Sequence, residues 1–235
     1  MGDIMLFLEK LYSELDTEGR LKLPESRTSA FYLFNHNIGR ALMLPTLVYG
    51  PESDNDWAVL DSTFLYQAAI IQVITSLETY YQNILKTISE NVRTSEVDAV
   101  ALSRFIKKNR LITEFTKALE NEKTLDFYLS KLIPEFFPLQ QRDRIKIAMK
   151  LIGLDPVGPF KQEWERIFGD DKNSTVKLRH DFVHSGIDYD KIAKFNITFI
   201  KEKIKDAIVL IGNLERQISK KYPIGRIKEL YPERV

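Results

Sequence analysis

The feature that most constrains the fold is a long run of apolar residues spaced three and four positions apart between Trp57 and Asn91. The run consists of Leu60, Phe64, Ala68, Ile71, Ile74, Leu77, Tyr81, Ile84, Leu85 and Ile88. Because an α-helix turns once in about 3.6 residues, this spacing places them on one helical face. A second run, from Ile192 to Ile218, predicts a final long helix that starts near Asp188 or Asp190, and no stretch of useful length alternates as a β-strand does. The pattern predicts an all-α protein built around two long amphipathic helices.

Shorter helices are predicted at 3–15, 26–42, 96–108, 110–122, 124–133, 139–151 and 161–168. The stretch MLPTLVYGPESDND (43–56) contains two prolines, a glycine and three acidic residues. Such a composition is typical of a connector, because proline and glycine interrupt regular structure. We therefore divide the chain into an N-terminal helical extension, residues 1–50, and a helical domain, residues 51–235.

The composition indicates the general class of the protein. Hydrophobic residues make up 44% and charged residues 29% of the 235 residues, as in globular proteins. The absence of cysteine excludes disulfides and thiolate chemistry and is typical of a cytoplasmic protein. The N-terminal apolar segment lacks a basic start and is interrupted by Asp3 and Glu9, so we expect no signal peptide. No uncharged apolar run of about 18 residues occurs, so we expect no membrane span.

Charge is unevenly distributed along the chain. The net charge is only +1, which disfavours a protein coated with basic surface for duplex binding. Residues 172–235 nevertheless contain 14 basic and 8 acidic side chains, a balance of +6, whereas the remaining residues have a balance of −5. This C-terminal excess indicates either an anionic ligand or a lysine-rich solvent face on the last helix.

Two of the chain's three histidines lie in the stretch VKLRHDFVHSG (176–186). The preceding NST offers a helix cap and Gly186 a helix end. His180 and His184, four residues apart, would share one helical face, as pairs of zinc ligands do. A zinc site needs a third protein ligand, which a carboxylate such as Asp181 or Asp188 could supply, but the glutamate of the HExxH motif is missing here. We therefore expect no metal and no other cofactor.

Other catalytic arrangements in this stretch differ in their support. Ser185 directly follows His184 without the GxSxG motif, which disfavours a serine triad. Arg179 and His184 suit general acid–base chemistry on a phosphate, because histidine exchanges protons near neutral pH and the arginine fork binds phosphate oxygens. These two residues suffice to cleave RNA without a metal, since the RNA supplies its own 2′-hydroxyl nucleophile.

The spacing of these two residues has a geometrical consequence. An α-helix rotates by about 100° per residue, so five positions correspond to one full turn plus about 140°. Arg179 and His184 therefore do not share one face. A single copy would hold the two side chains apart. Two copies packed about a two-fold axis would bring both pairs into one cleft, so the chemistry predicts a homodimer.

The sequence RHDFVH resembles the motif of HEPN domains, which are all-helical modules that often act as metal-independent ribonucleases. In that family an arginine is followed by four residues and a histidine, with a polar residue after the arginine and an apolar residue shortly before the histidine. His180 and Val183 match these two positions. The stretch ITSLETYYQNIL (74–85) is similar to the first long core helix of several HEPN branches, with Glu78 at the acidic position.

The resemblance covers roughly residues 57–91 and 172–220 and implies a bundle with long antiparallel core helices. It implies an endoribonuclease that cleaves single-stranded RNA to a 2′,3′-cyclic phosphate and a 5′-hydroxyl. Arg179 would then stabilise the charge on the scissile phosphate and His184 would act as general acid or base. His180 and Asp181 would position the substrate, whereas Glu78 would either hydrogen-bond to the arginine or lie on the surface.

The resemblance also implies partners and an alternative. The expected partners are RNA, a second copy of the chain, and an antitoxin or a protein of an antiviral defence system. No membrane partner is expected. HEPN domains also include non-catalytic members, so the alternative is a helical module that binds RNA, a nucleotide or a protein without cleaving anything.

Overall fold

A computed structural model of the chain describes residues 2–16, 21–47, 56–91, 99–108, 116, 141–184 and 195–232. Within these ranges all regular secondary structure is helical, which confirms the all-α prediction. The α-helices are α1 (Gly2–Leu15), α2 (Ser29–Met43), α3 (Asp56–Asn91), α4 (Ala99–Lys108), α5 (Arg142–Leu151), α6 (Lys161–Phe168), α7 (Thr175–His184) and α8 (Ile197–Lys221). Short 3-10 helices span Leu44–Leu47 and Lys228–Leu230.

Each predicted helix that the structure describes is present, although the helices predicted at 26–42 and 139–151 begin three residues later, at Ser29 and Arg142, and the last one begins later still. Two predicted helices, 110–122 and 124–133, fall in a part of the chain of which only Thr116 is described. The predicted domain boundary at residue 50 also lies outside the described residues and stays a prediction. The helices on either side of it, α2 and α3, pack together and share one buried core.

Helix α3 lies at the centre of the packing. It contacts α2, α5, α7, α8 and both 3-10 helices. Its inward side chains include Ile70, Tyr80 and Tyr81, which are at most 1% exposed. Burying an aliphatic or aromatic side chain of this size stabilises a fold by about 1.5–3 kcal/mol. The buried face of α3 therefore matches the predicted stripe from Ile74 to Ile88, whereas Phe64 of that stripe is 52% exposed.

A buried carboxyl group joins three of these helices. Glu215 of α8 is 1% exposed. Its Oε1 accepts hydrogen bonds from the hydroxyls of Thr28 and Tyr80, each at 2.7 Å. Its Oε2 accepts one from the Thr28 backbone N–H at 2.8 Å. The Thr28 hydroxyl also accepts from Phe31 N at 3.1 Å, so one threonine caps α2 and binds Glu215.

The last long helix begins at Ile197 rather than near Asp188 or Asp190. Its first turn is capped by Asn196, whose side chain accepts a hydrogen bond from the Phe199 N–H at 2.9 Å. Asn196 itself is extended, with φ −138° and ψ 174°, so the helix does not continue backward through it. Asparagine is among the strongest helix-capping residues, which explains why the helix begins here despite the earlier apolar residues.

Candidate active site

Helix α7 contains Arg179, His180, Asp181 and His184 and packs against α3 and α6. The polar residues at its start bind backward to the end of α6. The Ser174 hydroxyl donates to the Gly169 carbonyl at 2.8 Å, and the Thr175 hydroxyl donates to the Arg166 carbonyl at 3.3 Å. The NST sequence thus lies at the helix start as predicted, and two of its hydroxyls fix the orientation of α7 against α6.

The inner face of α7 is apolar. Leu178 is 2% exposed, while Val176 and Phe182 are half-buried and pack at the edge of the core. The Phe182 ring meets the Phe195 ring edge-on, with centroids 5.6 Å apart. Phe195 in turn packs against Phe199 in the first turn of α8. The inner face therefore ties α7 to the beginning of α8 as well as to α6.

The opposite face of α7 points to solvent. It contains His180, Val183 and His184, which share one side of the helix because they lie three and four residues apart. The two imidazole rings pack together, with centroids 4.6 Å apart and planes tilted by 50°. Val183 is 51% exposed. We call these three residues the α7 outer face; it pairs two proton-exchanging side chains with an exposed apolar one.

Arg179 and Asp181 lie on opposite flanks of the α7 outer face, and both are half-buried. Because Arg179 and His184 belong to the same regular helix, they differ by about 140° around its axis. The structure thus supports the geometrical premise of the dimer prediction. Glu78 is half-buried on α3, the helix against which α7 packs. The catalytic and positioning roles of these residues stay predictions.

The residues around the site were also considered as ligands for a metal ion. Among the residues that the structure describes, no group of three or more histidine, aspartate and glutamate side chains is arranged to hold one. None of the described helices is both long enough and apolar enough to cross a membrane.

A polar cluster next to α7 was missed by the sequence interpretation. The Arg166 guanidinium donates two hydrogen bonds to the Asp206 carboxylate, at 2.6 and 2.8 Å, and a longer one to Glu163. Lys203 donates to the Asn173 carbonyl at 3.0 Å, which fixes the turn before α7. Burial lowers the pKa of Lys203 and raises that of Asp206, the latter against the effect of the Arg166 hydrogen bonds.

Comparisons with known proteins return nothing for this chain. No protein-family model, no curated protein and no solved structure matches it. Membership of the HEPN group therefore stays a prediction from the sequence motifs of α3 and α7.

Proposed function

We propose that the protein is a metal-independent endoribonuclease of the HEPN type, which cleaves single-stranded RNA with Arg179 and His184 at the interface of a homodimer. We further propose that it acts in the cytoplasm, in a toxin–antitoxin or antiviral defence system. The observation that carries the proposal is the α7 outer face together with Arg179 on its flank. A pair of exposed histidines in ring contact and, on the flank of their face, a half-buried arginine belong to one short helix.

The exposed valine supports the dimer. Val183 is 51% exposed between two histidines that also face solvent. Covering such a side chain with a second copy removes apolar surface from water and brings two copies of His184 and Arg179 together. A two-fold arrangement also supplies what one chain lacks, namely a histidine and an arginine directed into the same cleft.

The proposed reaction follows from the chemistry of RNA. One histidine accepts the proton of the ribose 2′-hydroxyl as that oxygen attacks the adjacent phosphorus. The bond from phosphorus to the 5′-oxygen breaks, and a protonated histidine donates a proton to this leaving oxygen. Arg179 stabilises the negative charge that develops on the phosphate oxygens. The products are a 2′,3′-cyclic phosphate and a 5′-hydroxyl, and no metal takes part.

The test is cleavage of a single-stranded RNA in the presence of EDTA. The wild-type protein is expected to cleave it, and Arg179→Ala and His184→Ala are expected to lower the rate at least about a hundredfold each, the range for losing a general acid–base group or an oxyanion partner. Matched controls are His36→Ala and Arg40→Ala on α2, both exposed in the wild-type chain.

Both control variants are expected to cleave at the wild-type rate. The proposal is wrong if the wild-type protein leaves RNA intact, or if cleavage survives in both Arg179→Ala and His184→Ala. Unimpaired binding of the RNA without cleavage would instead favour the non-catalytic alternative.

A further inference from the structure

A groove lies between α6, α8 and the segment after α1, and no residue of α7 lines it. It has a volume of about 540 Å³, which is the size of pockets that hold small molecules. Its lining includes apolar side chains, among them Phe160, Ile208 and Val209. The groove therefore offers a partly apolar floor large enough for one ring system.

Basic side chains outnumber acidic ones around this groove. Five of the lining residues are basic, Lys22, Arg166, Lys203, Lys205 and Arg216, and three are acidic, Glu163, Glu202 and Asp206. Arg166 and Asp206 neutralise each other through their two-pronged hydrogen bond. The remaining basic residues leave an excess of positive charge, which favours an anion over a cation or a neutral molecule.

Gly212 of α8 supplies an independent argument. A glycine within a helix costs about 1 kcal/mol relative to alanine, so its place in the middle of α8 calls for a physical explanation. Packing does not supply one here, because a methyl group at this position would have its nearest neighbour, Arg216 Nη1, at 4.0 Å. Gly212 lines the groove. Because Gly212 has no side chain, the space next to the Arg216 guanidinium stays open.

We propose that this groove binds a small organic anion in which a flat apolar body is joined to a phosphate or a carboxylate. The apolar body lies against the half-buried Phe160 and Val209, on the side of α8 where Gly212 carries no side chain. The anionic group faces Lys205 and Arg216. The site is separate from the α7 outer face and does not depend on the proposed ribonuclease activity.

The experiment is a calorimetric titration of the full chain with 1-naphthyl phosphate and, separately, with 1-naphthoate. These two probes distinguish a phosphate ligand from a carboxylate ligand. Two control ligands are titrated in the same way. Inorganic phosphate lacks the apolar body, and 1-naphthylmethanol lacks the anionic group. At least one aromatic anion is expected to bind with one molecule per chain, and at least tenfold more tightly than either half.

Substitutions locate the binding. Arg216→Ala and Lys205→Ala are each expected to weaken it about tenfold, the loss of one charge-assisted hydrogen bond. Gly212→Leu, which fills the floor, is expected to abolish it. Lys220→Ala, an exposed position of α8 outside the groove, is the matched control and should change nothing.

Two results would overturn the assignment. One is that neither aromatic anion binds the wild-type chain. The other is that binding persists in Arg216→Ala, Lys205→Ala and Gly212→Leu alike. If Gly212→Leu does not fold, as judged by its circular dichroism, the two single-charge variants still decide the question.

Discussion

Glu215 places a carboxyl group among three helices, and burial raises its pKa from 4.5 to about 7, against the effect of its hydrogen bonds with Tyr80 and Thr28. The phenols near it do not titrate in this range. Burial also raises the pKa of Tyr80 and Tyr12, and it raises that of Tyr231 to about 12. Glu215 is therefore the member of this cluster that changes charge between pH 4.5 and 7.

The raised pKa of Glu215 predicts a dependence of stability on pH. Because the folded state holds the proton more tightly than the unfolded state, the contribution is fully present below pH 4.5 and is lost as pH rises through 7. The free energy of unfolding is expected to be about 2–3 kcal/mol lower at pH 8 than at pH 5 from this group. Urea titrations at both pH values measure it.

Two variants separate Glu215 from other titrating groups. Glu215→Gln, which has no charge to lose, is expected to abolish most of the difference in unfolding free energy between pH 5 and pH 8. Glu90→Gln, at an exposed position of α3, is the matched control and should retain it. If the free energy of unfolding depends on pH equally in the wild type and in Glu215→Gln, a titrating group other than Glu215 causes the dependence.

Tyr80 and Tyr81 form a natural pair for measuring one buried hydrogen bond. Both are at most 1% exposed, and the Tyr80 hydroxyl donates to Glu215 at 2.7 Å. The Tyr81 hydroxyl has no hydrogen-bond partner among the described residues. Tyr80→Phe is expected to lower the free energy of unfolding at pH 8 by about 2 kcal/mol, because the bond goes to a charged group.

Tyr81→Phe is expected to leave that free energy unchanged or to raise it, because it removes a buried hydroxyl that lacks a partner. Denaturant unfolding of both variants gives the comparison. Equal losses in the two variants would show that the Tyr80–Glu215 bond contributes nothing specific.

At the scale of the elements, the beginning of α8 matters for the site. The Asn196 cap fixes the turn from which Phe195 and Phe199 reach the inner face of α7 through Phe182. Asn196→Ala is expected to lower the free energy of unfolding by about 1 kcal/mol, whereas Asn196→Asp retains the cap. Thermal unfolding measures both. A loss as large in Asn196→Asp would indicate that the side chain does not act as a cap.

Local patterns explain why most helix bounds were predictable. The predicted helices 57–91 and 161–168 correspond to Asp56–Asn91 and Lys161–Phe168, because apolar spacing and proline or glycine breaks act over a few residues. The start of α8 was placed too early, since the apolar residues before Asn196 resemble a continuing stripe. The asparagine in the sequence FNIT was the available signal of a cap.

Long-range arrangements were not predictable in the same way. The Glu215 cluster joins residues 187 and 135 positions apart, and the groove combines α6, α8 and the segment after α1. No local pattern specifies such pairings, because they arise only when helices pack. One signal was present nonetheless. Glu215 lies four residues after Ile211 and three before Ile218, so an acidic residue interrupts the apolar stripe of α8.

At the scale of the whole molecule, the proposed cleft with Arg179 and His184 requires two copies of the chain. Val183→Asp places a charge on the α7 outer face, where the side chain is 51% exposed and the monomer's own core is not involved. The wild-type chain is expected to be a dimer and the variant a monomer of 27.4 kDa in solution. The variant is also expected to lose RNA cleavage without a lower melting temperature. Light scattering coupled to gel filtration measures the mass.

The matched control for Val183→Asp is Ile224→Asp, a similar change at a side chain that is 54% exposed on a different surface. It is expected to remain dimeric and active. A wild-type chain that is monomeric at all concentrations, yet cleaves RNA through Arg179 and His184, would contradict the two-fold arrangement.

The proposed reaction depends on Arg179 and His184. The chemical groups at the ends of the cleaved RNA show whether the 2′-hydroxyl was the attacking group. The substrate is a DNA oligonucleotide with one ribonucleotide, incubated with the protein in EDTA and analysed by mass spectrometry. We expect a 2′,3′-cyclic phosphate at that ribonucleotide and a 5′-hydroxyl on the next fragment. Neither product is expected with the His184→Ala variant. Cleavage that leaves a 5′-phosphate, or equal cleavage when the ribonucleotide is replaced by deoxyribose, would contradict it.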